Sequence, residues 1–346
     1  MTLLDAPKWK IGNENSFLDF VKGVDSNIRV ALLSHTDQDG IAAARVANEY
    51  FSTDLVFFAD YVDLNELLVQ KLRVTGATLV VITDLMIKKK EFIIALEEFA
   101  HVLIIDHHQV DCDFTSARTI FMNAQGFCAA YLAYYLFSKI KSLEHVDWIV
   151  ACASISDWAY SMNSRWMTGV FQKYGEHFTA DSREIKKGVF WETQATISLS
   201  LVYFKNDIRR VYRSVGTSFF DIGDLQKYSS IIQQEIDRCI VCFEKEKQVI
   251  DGGYFWEFSS QFPVKSIVST VISAGMPETT ILIAERRGDM YNLSGRRQDK
   301  KVSMNDLLKR LTQGFEPHDA GGHIPAAGGF IMMKDVPEFK KRLSVA

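Results

Sequence analysis

The sequence predicts an α/β fold: an N-terminal parallel-sheet domain with helices on both faces, a helical linker, and a smaller C-terminal α/β domain. Three observations predict it. The first half alternates apolar, β-branched runs with helix-patterned segments, the rhythm of βαβ units. Three of those runs, residues 29–34, 78–83 and 102–105, are apolar almost throughout, as strands buried on both faces are. The end of the chain changes character, to short strands, short helices and a glycine-rich segment.

Taken in order, residues 29–34 read as a strand and 41–51 as an alanine-rich helix. Residues 55–58 form a short strand, and 64–73 a helix closed by Gly76. The strand 78–83, the helix 91–99 and the strand 102–105 follow. Residues 126–140 and 146–156 have helical character, the second ending at Asp157 and Trp158. From Trp158 to about Phe220 the chain is mostly helical, with few turn signals. Residues 225–250 keep helical periodicity until Asp251, Gly252 and Gly253 stop them, and read as a connecting helix. Strands are expected over 254–258, 280–284 and 290–293, and helices over 264–274 and 304–311. The glycine-rich segment 321–329 leads into a strand at 330–333. The expected domains are therefore 1–220, a connecting helix over 221–252, and 253–346. No internal repeat is apparent.

Composition sets bounds. With 346 residues, 47% hydrophobic and 24% charged, the chain has ample material for two cores. The net charge of −4 does not announce a nucleic-acid binder, although Arg286 with Arg287, Arg296 with Arg297, and Lys300 with Lys301 make one region locally basic. Five scattered cysteines suggest reduced thiols and a cytoplasmic protein. Cys239 and Cys242 read as two small residues on one helical face rather than a redox or metal pair. The first ten residues lack the apolar core of a signal peptide, and no run reaches the ~20 apolar residues of a membrane span, so no membrane partner is expected.

The strand ends carry the chemistry. Ligands in open α/β sheets bind beyond the carboxyl ends of the strands. There stand His35, Asp37 and Asp39 after the first strand, Asp84 after the third, and Asp106, His107 and His108 after the fourth. Alternate residues of an extended segment point the same way, so His35, Asp37 and Asp39 can converge. Carboxylates mixed with imidazole suit Mn²⁺, Zn²⁺ or Fe²⁺, whereas Mg²⁺ prefers oxygen alone. The competing readings are ordinary ones: solvated acids capping the next helix, an Asp84 cap, a surface turn with incidental histidines. In the C-terminal region, glycines bring backbone N–H groups close to an anion, and Arg296 and His323 can add charge-assisted bonds. A tight turn feeding the next strand is the alternative. Tyr254, Phe255, Trp256 and Phe258, like Trp158, Tyr160 and Trp166, are either stacking residues for bases or core.

These motifs resemble those of the DHH family of phosphoesterases. His35-Thr36-Asp37-Gln38-Asp39-Gly40, Asp84, Asp106-His107-His108 and Asp157 match in order. The segment from Gly321 and Gly322 through His323 to Gly328 resembles the signature of the DHH-associated domain of RecJ-like exonucleases and nanoRNases, as does Ser294-Gly295-Arg296. The likeness covers roughly residues 1–160 and 250–346. It implies two divalent cations, Mn²⁺ first and Mg²⁺ as the alternative. His35, Asp37 and Asp84 would hold one; Asp39, Asp84, His107 and Asp157 would hold the other. Asp106 would act behind the ligands, and His108 on the scissile phosphate. Arg296, His323, Gly321 and Gly322 would bind a substrate phosphate. The implied activity is hydrolysis of short or single-stranded oligonucleotides from one end by a two-metal-activated hydroxide. The alternatives are a hydrolase of a small phosphorylated molecule, such as a cyclic dinucleotide, nucleoside bisphosphate, pyrophosphate or polyphosphate, and a catalytically silent nucleic-acid-binding subunit. A homodimer is compatible with all of these. Ala320 stands where the family's glycine run often begins, and the middle segment, about 160–250, matches no family motif.

Overall fold

The apolar runs of the first half form one parallel sheet. In chain order, α1 (Glu14–Lys22) leads to β1 (Val30–His35), α2 (Gln38–Phe51), β2 (Val56–Ala59), α3 (Glu66–Arg73), β3 (Leu79–Thr83), α4 (Lys90–Glu97), β4 (His101–Asp106) and β5 (Thr119–Asn123). The strands lie in the order β2-β1-β3-β4-β5, every neighbouring pair parallel. This computed structural model describes residues 3–25 and 27–343. The chain divides into two compact units, Met1–Ser229 and Ser230–Ala346.

Strand periodicity explains why the runs are apolar throughout. Side chains alternate between faces, and both faces are covered. Leu32, Val81, Leu103 and Ile105 join one core with Phe17 of α1 and Ile41 of α2. Ala31, Leu33, Val80, Ile82, Val102 and Ile104 join another with Leu72 of α3 and Ile93 of α4. Each fully buried Val, Leu or Ile contributes roughly 1.5–3 kcal/mol. The register sets the strand ends level: His35 lies opposite Ala59, Ser34 opposite Thr83, Thr83 opposite Ile105, and Asp106 opposite Asn123.

The rest of this unit is helical: α5 (Ala129–Phe137), α6 (Asp147–Ser156), α7 (Ser164–Lys173), α8 (Gly188–Tyr203) and α9 (Ile208–Ser214). The helix expected from residue 126 starts later because Gly126 has a φ of +87°, outside the helical region. Nearly every residue of α5 and α6 is buried, which is why neither shows a polar stripe.

α10 (Leu225–Glu246) runs across the boundary between the units. The helix expected to residue 250 stops at Glu246, and β6 (Gln248–Ile250) then turns back into β7 (Gly253–Phe258). The remaining elements are α11 (Lys265–Gly275), β8 (Thr280–Arg287), β9 (Met290–Arg296), α12 (Met304–Thr312), β10 (Asp319–His323), β11 (Ala326–Met332) and α13 (Val336–Leu343). The second sheet has the order β10-β11-β9-β8-β7-β6, with only β7 and β8 parallel. Tyr291, Leu308, Ile331 and Phe339 belong to its core.

Here the glycine-rich segment is itself a strand and not only an approach to one. Gly321 pairs with Gly328, and Ala320 with Gly329. A Cβ on Gly329 would lie 2.2 Å from the Asp319 carbonyl oxygen, so close strand contact demands glycine there. Phe255, Trp256 and Phe258 are buried, as is Trp166, which makes all four core residues and not stacking surfaces. Cys239 is buried in α10, and none of the five cysteines forms a disulfide. Among the described residues, no helix is long and apolar enough to cross a membrane.

Candidate metal centre

The level strand ends gather the titratable groups named from the sequence. β1 ends at His35, and the chain turns straight into α2. Asp37 caps that helix, its Oδ1 accepting the Gly40 N–H at 2.9 Å. Its other oxygen lies 3.0 Å from His35 Nδ1. The turn is so tight that a Cβ on Gly40 would meet the His35 carbonyl oxygen at 2.4 Å. Glycine in the motif therefore serves packing. Ser34 hydrogen-bonds the Gly40 carbonyl at 2.7 Å and the Thr83 hydroxyl at 2.7 Å, which locks the ends of β1 and β3 together.

Asp84 follows β3 with a φ of +57°. Aspartate tolerates this left-handed conformation better than most residues. The kink sets a fully buried carboxylate among three imidazoles. Asp84 Oδ2 lies 3.7 Å from His35 Nδ1, and Asp84 Oδ1 lies 3.2 Å from His107 Nε2 and 4.0 Å from His108 Nδ1. Asp39, on the first turn of α2, is 2% exposed. Its two oxygens accept the Ala129 and Ala130 N–H groups of the α5 N-terminus at 2.7 and 2.8 Å. A helix N-terminus stabilises such an anion. Asp157, at the C-terminus of α6, brings Oδ2 to 3.6 Å from His107 Nδ1.

Two groups of donor atoms result, each with all atoms within 4.8 Å of one another: His35, Asp37 and Asp84, and Asp39, His107 and Asp157. A third set with the same closeness is Asp84, His107 and His108. His108 is the poorer ligand of these, because both its nitrogens are engaged. Nδ1 is 2.7 Å from Asp106 Oδ1, and Nε2 is 3.1 Å from the Tyr61 hydroxyl. The Asn123 amide donates to the carbonyls of Asp106 and His108, both at 3.0 Å, and so fixes this corner from β5.

The donor set fits divalent cations. Asp84 Oδ2 is buried yet makes no hydrogen bond, with His35 Nδ1 standing 3.7 Å away, beyond bonding distance. Burying polar atoms without partners is costly unless something else satisfies them. The electrostatics point the same way. Burial, together with the Asp39 and Asp37 charges, pushes the Asp84 carboxyl well above the usual range. Burial and the Asp39 charge push Asp157 up to about 7, against the pull of His107. Burial disfavours a charged His35, but the Asp37 and Asp84 carboxylates outweigh it and raise the imidazole to about 10. His107 reaches about 10 by the same balance, through Asp84 and Asp39. Four crowded carboxylates, those of Asp37, Asp39, Asp84 and Asp157, would be neutralised by two dications.

Two neighbours went unread in the sequence. Asp60 and Tyr61 follow β2, whose end lies level with His35. The Tyr61 ring stacks on His35, with centroids 4.7 Å apart. Asp60 Oδ1 is 3.9 Å from His35 Nε2. Their position after a strand's carboxyl end is the one local sign they share with His35, Asp84 and Asp106.

The phosphate-binding candidates lie in the other unit. Arg296 ends β9, and its Nη1 donates to the Gly295 carbonyl at 3.1 Å. Burial lowers its pKa. His323 ends β10 and is exposed, as are Gly321 and Gly322. Ala326 of β11 pairs with His323 on one side and Arg296 on the other, so both residues stand at the same end of the sheet. Gly322 has a φ of +148°, and a Cβ there would approach the Ala326 carbonyl oxygen to 2.5 Å.

Comparison with known proteins agrees with this picture. Residues 29–155 match the DHH family, N-terminal domain. No curated protein matches the chain. Among solved structures, the crystal structure of exonuclease RecJ bound to manganese aligns with a TM-score of 0.67 at 14% identity, over 98% of this chain and 94% of that one. RecJ in complex with Mn²⁺ from Thermus thermophilus aligns with a TM-score of 0.64 at 13% identity, over 96% of this chain and 54% of that one. CDC45 from Entamoeba histolytica gives 0.63 at 9% identity, over 96% and 98% of the two chains. Identities this low establish a shared fold.

Proposed function

We propose that this chain, whose residues 29–155 form a DHH-family N-terminal domain, is a metal-dependent phosphodiesterase that shortens small or single-stranded nucleic acids from one end. The observation that carries the reading is the pair of donor groups, His35 with Asp37 and Asp84, and Asp39 with His107 and Asp157. Divalent cations bound there would supply Lewis acidity toward a phosphoryl oxygen and lower the pKa of a water. RecJ has been solved with Mn²⁺ and also with Mg²⁺; the imidazoles in both groups favour Mn²⁺ here.

The chain's own residues supply orientation and charge. Asp84 lies between the two groups and can serve both. The α5 N-terminus holds Asp39 through one lone pair on each oxygen and leaves others free. Asp106 accepts from His108 Nδ1 and orients the ring, whose Nε2, when it carries a proton as well, can donate to a phosphate oxygen once Tyr61 yields its place. Arg296 and His323 are a separate candidate phosphate-binding pair at one end of the second sheet, and their presence supports an oligonucleotide over pyrophosphate as substrate.

The test is a panel on Mn²⁺-loaded protein: dinucleotides, longer labelled RNA and DNA, cyclic dinucleotides and pyrophosphate. The expected result is stepwise shortening of the linear oligonucleotides. Turnover of pyrophosphate or a cyclic dinucleotide alone would move the function to small phosphorylated molecules. Nucleic-acid binding with no turnover of any substrate would make the chain a binding subunit.

A further inference from the structure

Helix α6 ends with an unusual residue in an unusual conformation. Trp158 has a φ of +56°, in the left-handed region that bulky side chains rarely enter. The hydrogen bonds around it are those of a helix stop. The Ala159 N–H donates back to the Ser154 carbonyl at 2.9 Å, and the Trp158 N–H to Ile155 at 3.1 Å. Glycine is the ordinary occupant of this position because it enters the left-handed region without strain. Here the position carries the largest side chain available, and that side chain is 52% exposed. Neither burial nor helix termination accounts for an indole at this point.

Its surroundings do suggest a use. Trp158 directly follows Asp157, whose carboxylate belongs to one of the two donor groups. Trp191 meets the indole edge-on at 6.5 Å, and Tyr160 lies tilted at 6.1 Å, which restrains the ring without covering it fully. The Lys186 ammonium sits 5.3 Å from the ring centroid. A half-exposed indole flanked by two aromatic rings, with an ammonium over it and a candidate metal ligand next in the chain, is the equipment for holding a base beside its phosphate.

We propose that Trp158 is a stacking platform for a nucleobase of the substrate, with Lys186 available to the adjoining phosphate. The inference rests on the phosphodiesterase reading and deepens it. The site would read an aromatic base, so substrates lacking a base would lose this contact.

The test separates base from phosphate. Binding of adenosine 5′-monophosphate and of ribose 5-phosphate to the Mn²⁺-loaded protein is measured by calorimetry for wild type, Trp158→Phe and Trp158→Gly. Wild type should prefer the nucleotide by about 10–100-fold, the range expected of one stacked base. Trp158→Gly should abolish that preference while ribose 5-phosphate binds as before, and Trp158→Phe should keep part of it. Because glycine relieves the left-handed strain, Trp158→Gly should melt no lower than wild type. A preference that survives in Trp158→Gly, or no preference in wild type, overturns the inference. So does a Trp158→Gly variant that loses stability and affinity for both ligands alike. These outcomes differ from a failure of the phosphodiesterase reading, which would appear as wild type inert toward every diester in the panel.

Discussion

Replacing Asp84 by asparagine isolates one charge. The side chain keeps its shape, and asparagine accepts the +57° φ of this position, which alanine would adopt only at a cost of roughly 1–2 kcal/mol. The carboxylate removed lies 3.2 Å from His107 and 3.7 Å from His35, and so adjoins both donor groups. Losing a residue that merely supports a ligand typically costs 10–100-fold in metal affinity. A carboxylate serving two cations should therefore cost more than about 100-fold, or over ~2.7 kcal/mol. The metal-free protein should respond in the opposite sense. Asp84 is buried among like charges that raise its pKa, so neutralising it removes repulsion. A relief on the order of 1 kcal/mol would raise the melting temperature by roughly 2–4 °C. Calorimetric Mn²⁺ titration and thermal melts with and without metal read both effects. Two Mn²⁺ bound with wild-type affinity in Asp84→Asn would refute the shared-ligand argument. A metal-free variant several degrees less stable would refute the charge-crowding argument.

Other consequences are as direct. His35 and His107 are raised to about 10 from 6.5, so they bind protons more tightly in the folded protein, and the stability they add is fully present below about pH 6.5 and lost as pH rises through 10. Asp157, raised from 3.8 to about 7, acts in the same direction over the lower range. Metal-free protein should thus melt lower at about pH 9 than at about pH 6, and Mn²⁺ should restore more stability at the higher pH, where it competes with fewer protons; an equal gain at both would contradict the assigned ligands. His108→Ala should cut turnover while the Mn²⁺ content measured by elemental analysis stays near that of wild type, since both nitrogens of this ring are engaged by Asp106 and Tyr61. Tyr61→Phe keeps the stack on His35 and removes the hydroxyl that occupies His108 Nε2, so kcat should hold or rise with unchanged metal content; a large fall would give the hydroxyl a role of its own. Arg296→Ala and His323→Ala should raise KM for an oligonucleotide more than they lower kcat, with affinity falling as salt rises; unchanged kinetics in both would reduce these residues to strand ends.

Different parts of the molecule were legible for different reasons. The sheet of the first unit could be read because burial on both faces leaves a continuous apolar run, as in Leu79–Thr83 and His101–Asp106. The candidate ligands after β1, β3 and β4 could be picked out because strand ends interrupt such runs abruptly, whereas Asp157, which follows a helix, came only with the family resemblance. The glycine-rich hairpin was harder. Gly321, Gly322, Gly328 and Gly329 have weak strand preference, and their pairing is set by contact between backbones rather than by a side-chain pattern. α5 and α6 have helical character in the sequence, but the contact of Asp39 with the α5 N-terminus is made by backbone N–H groups, which no side-chain pattern announces.

Asp60 and Tyr61 show where reading by residue type stops. Tyrosine is neither a common metal ligand nor a turn former, and β2 is a short edge strand with a mixed burial pattern. What makes Tyr61 part of the centre is register: Ala59 pairs with His35, so the next two residues emerge beside the His35 ring. That relation is long-range, fixed by the pairing of two strands, and is absent from the local sequence. Trp158 poses the converse case. The sequence leaves Trp158, Tyr160 and Trp166 equally open as stacking or core residues, and the other two are buried. Only the backbone distinguishes it, since a left-handed helix stop turns the indole outward where its neighbours turn in. A residue that fits its fold poorly and its solvent poorly, one position from Asp157, is what the stacking proposal accounts for and what Trp158→Gly tests.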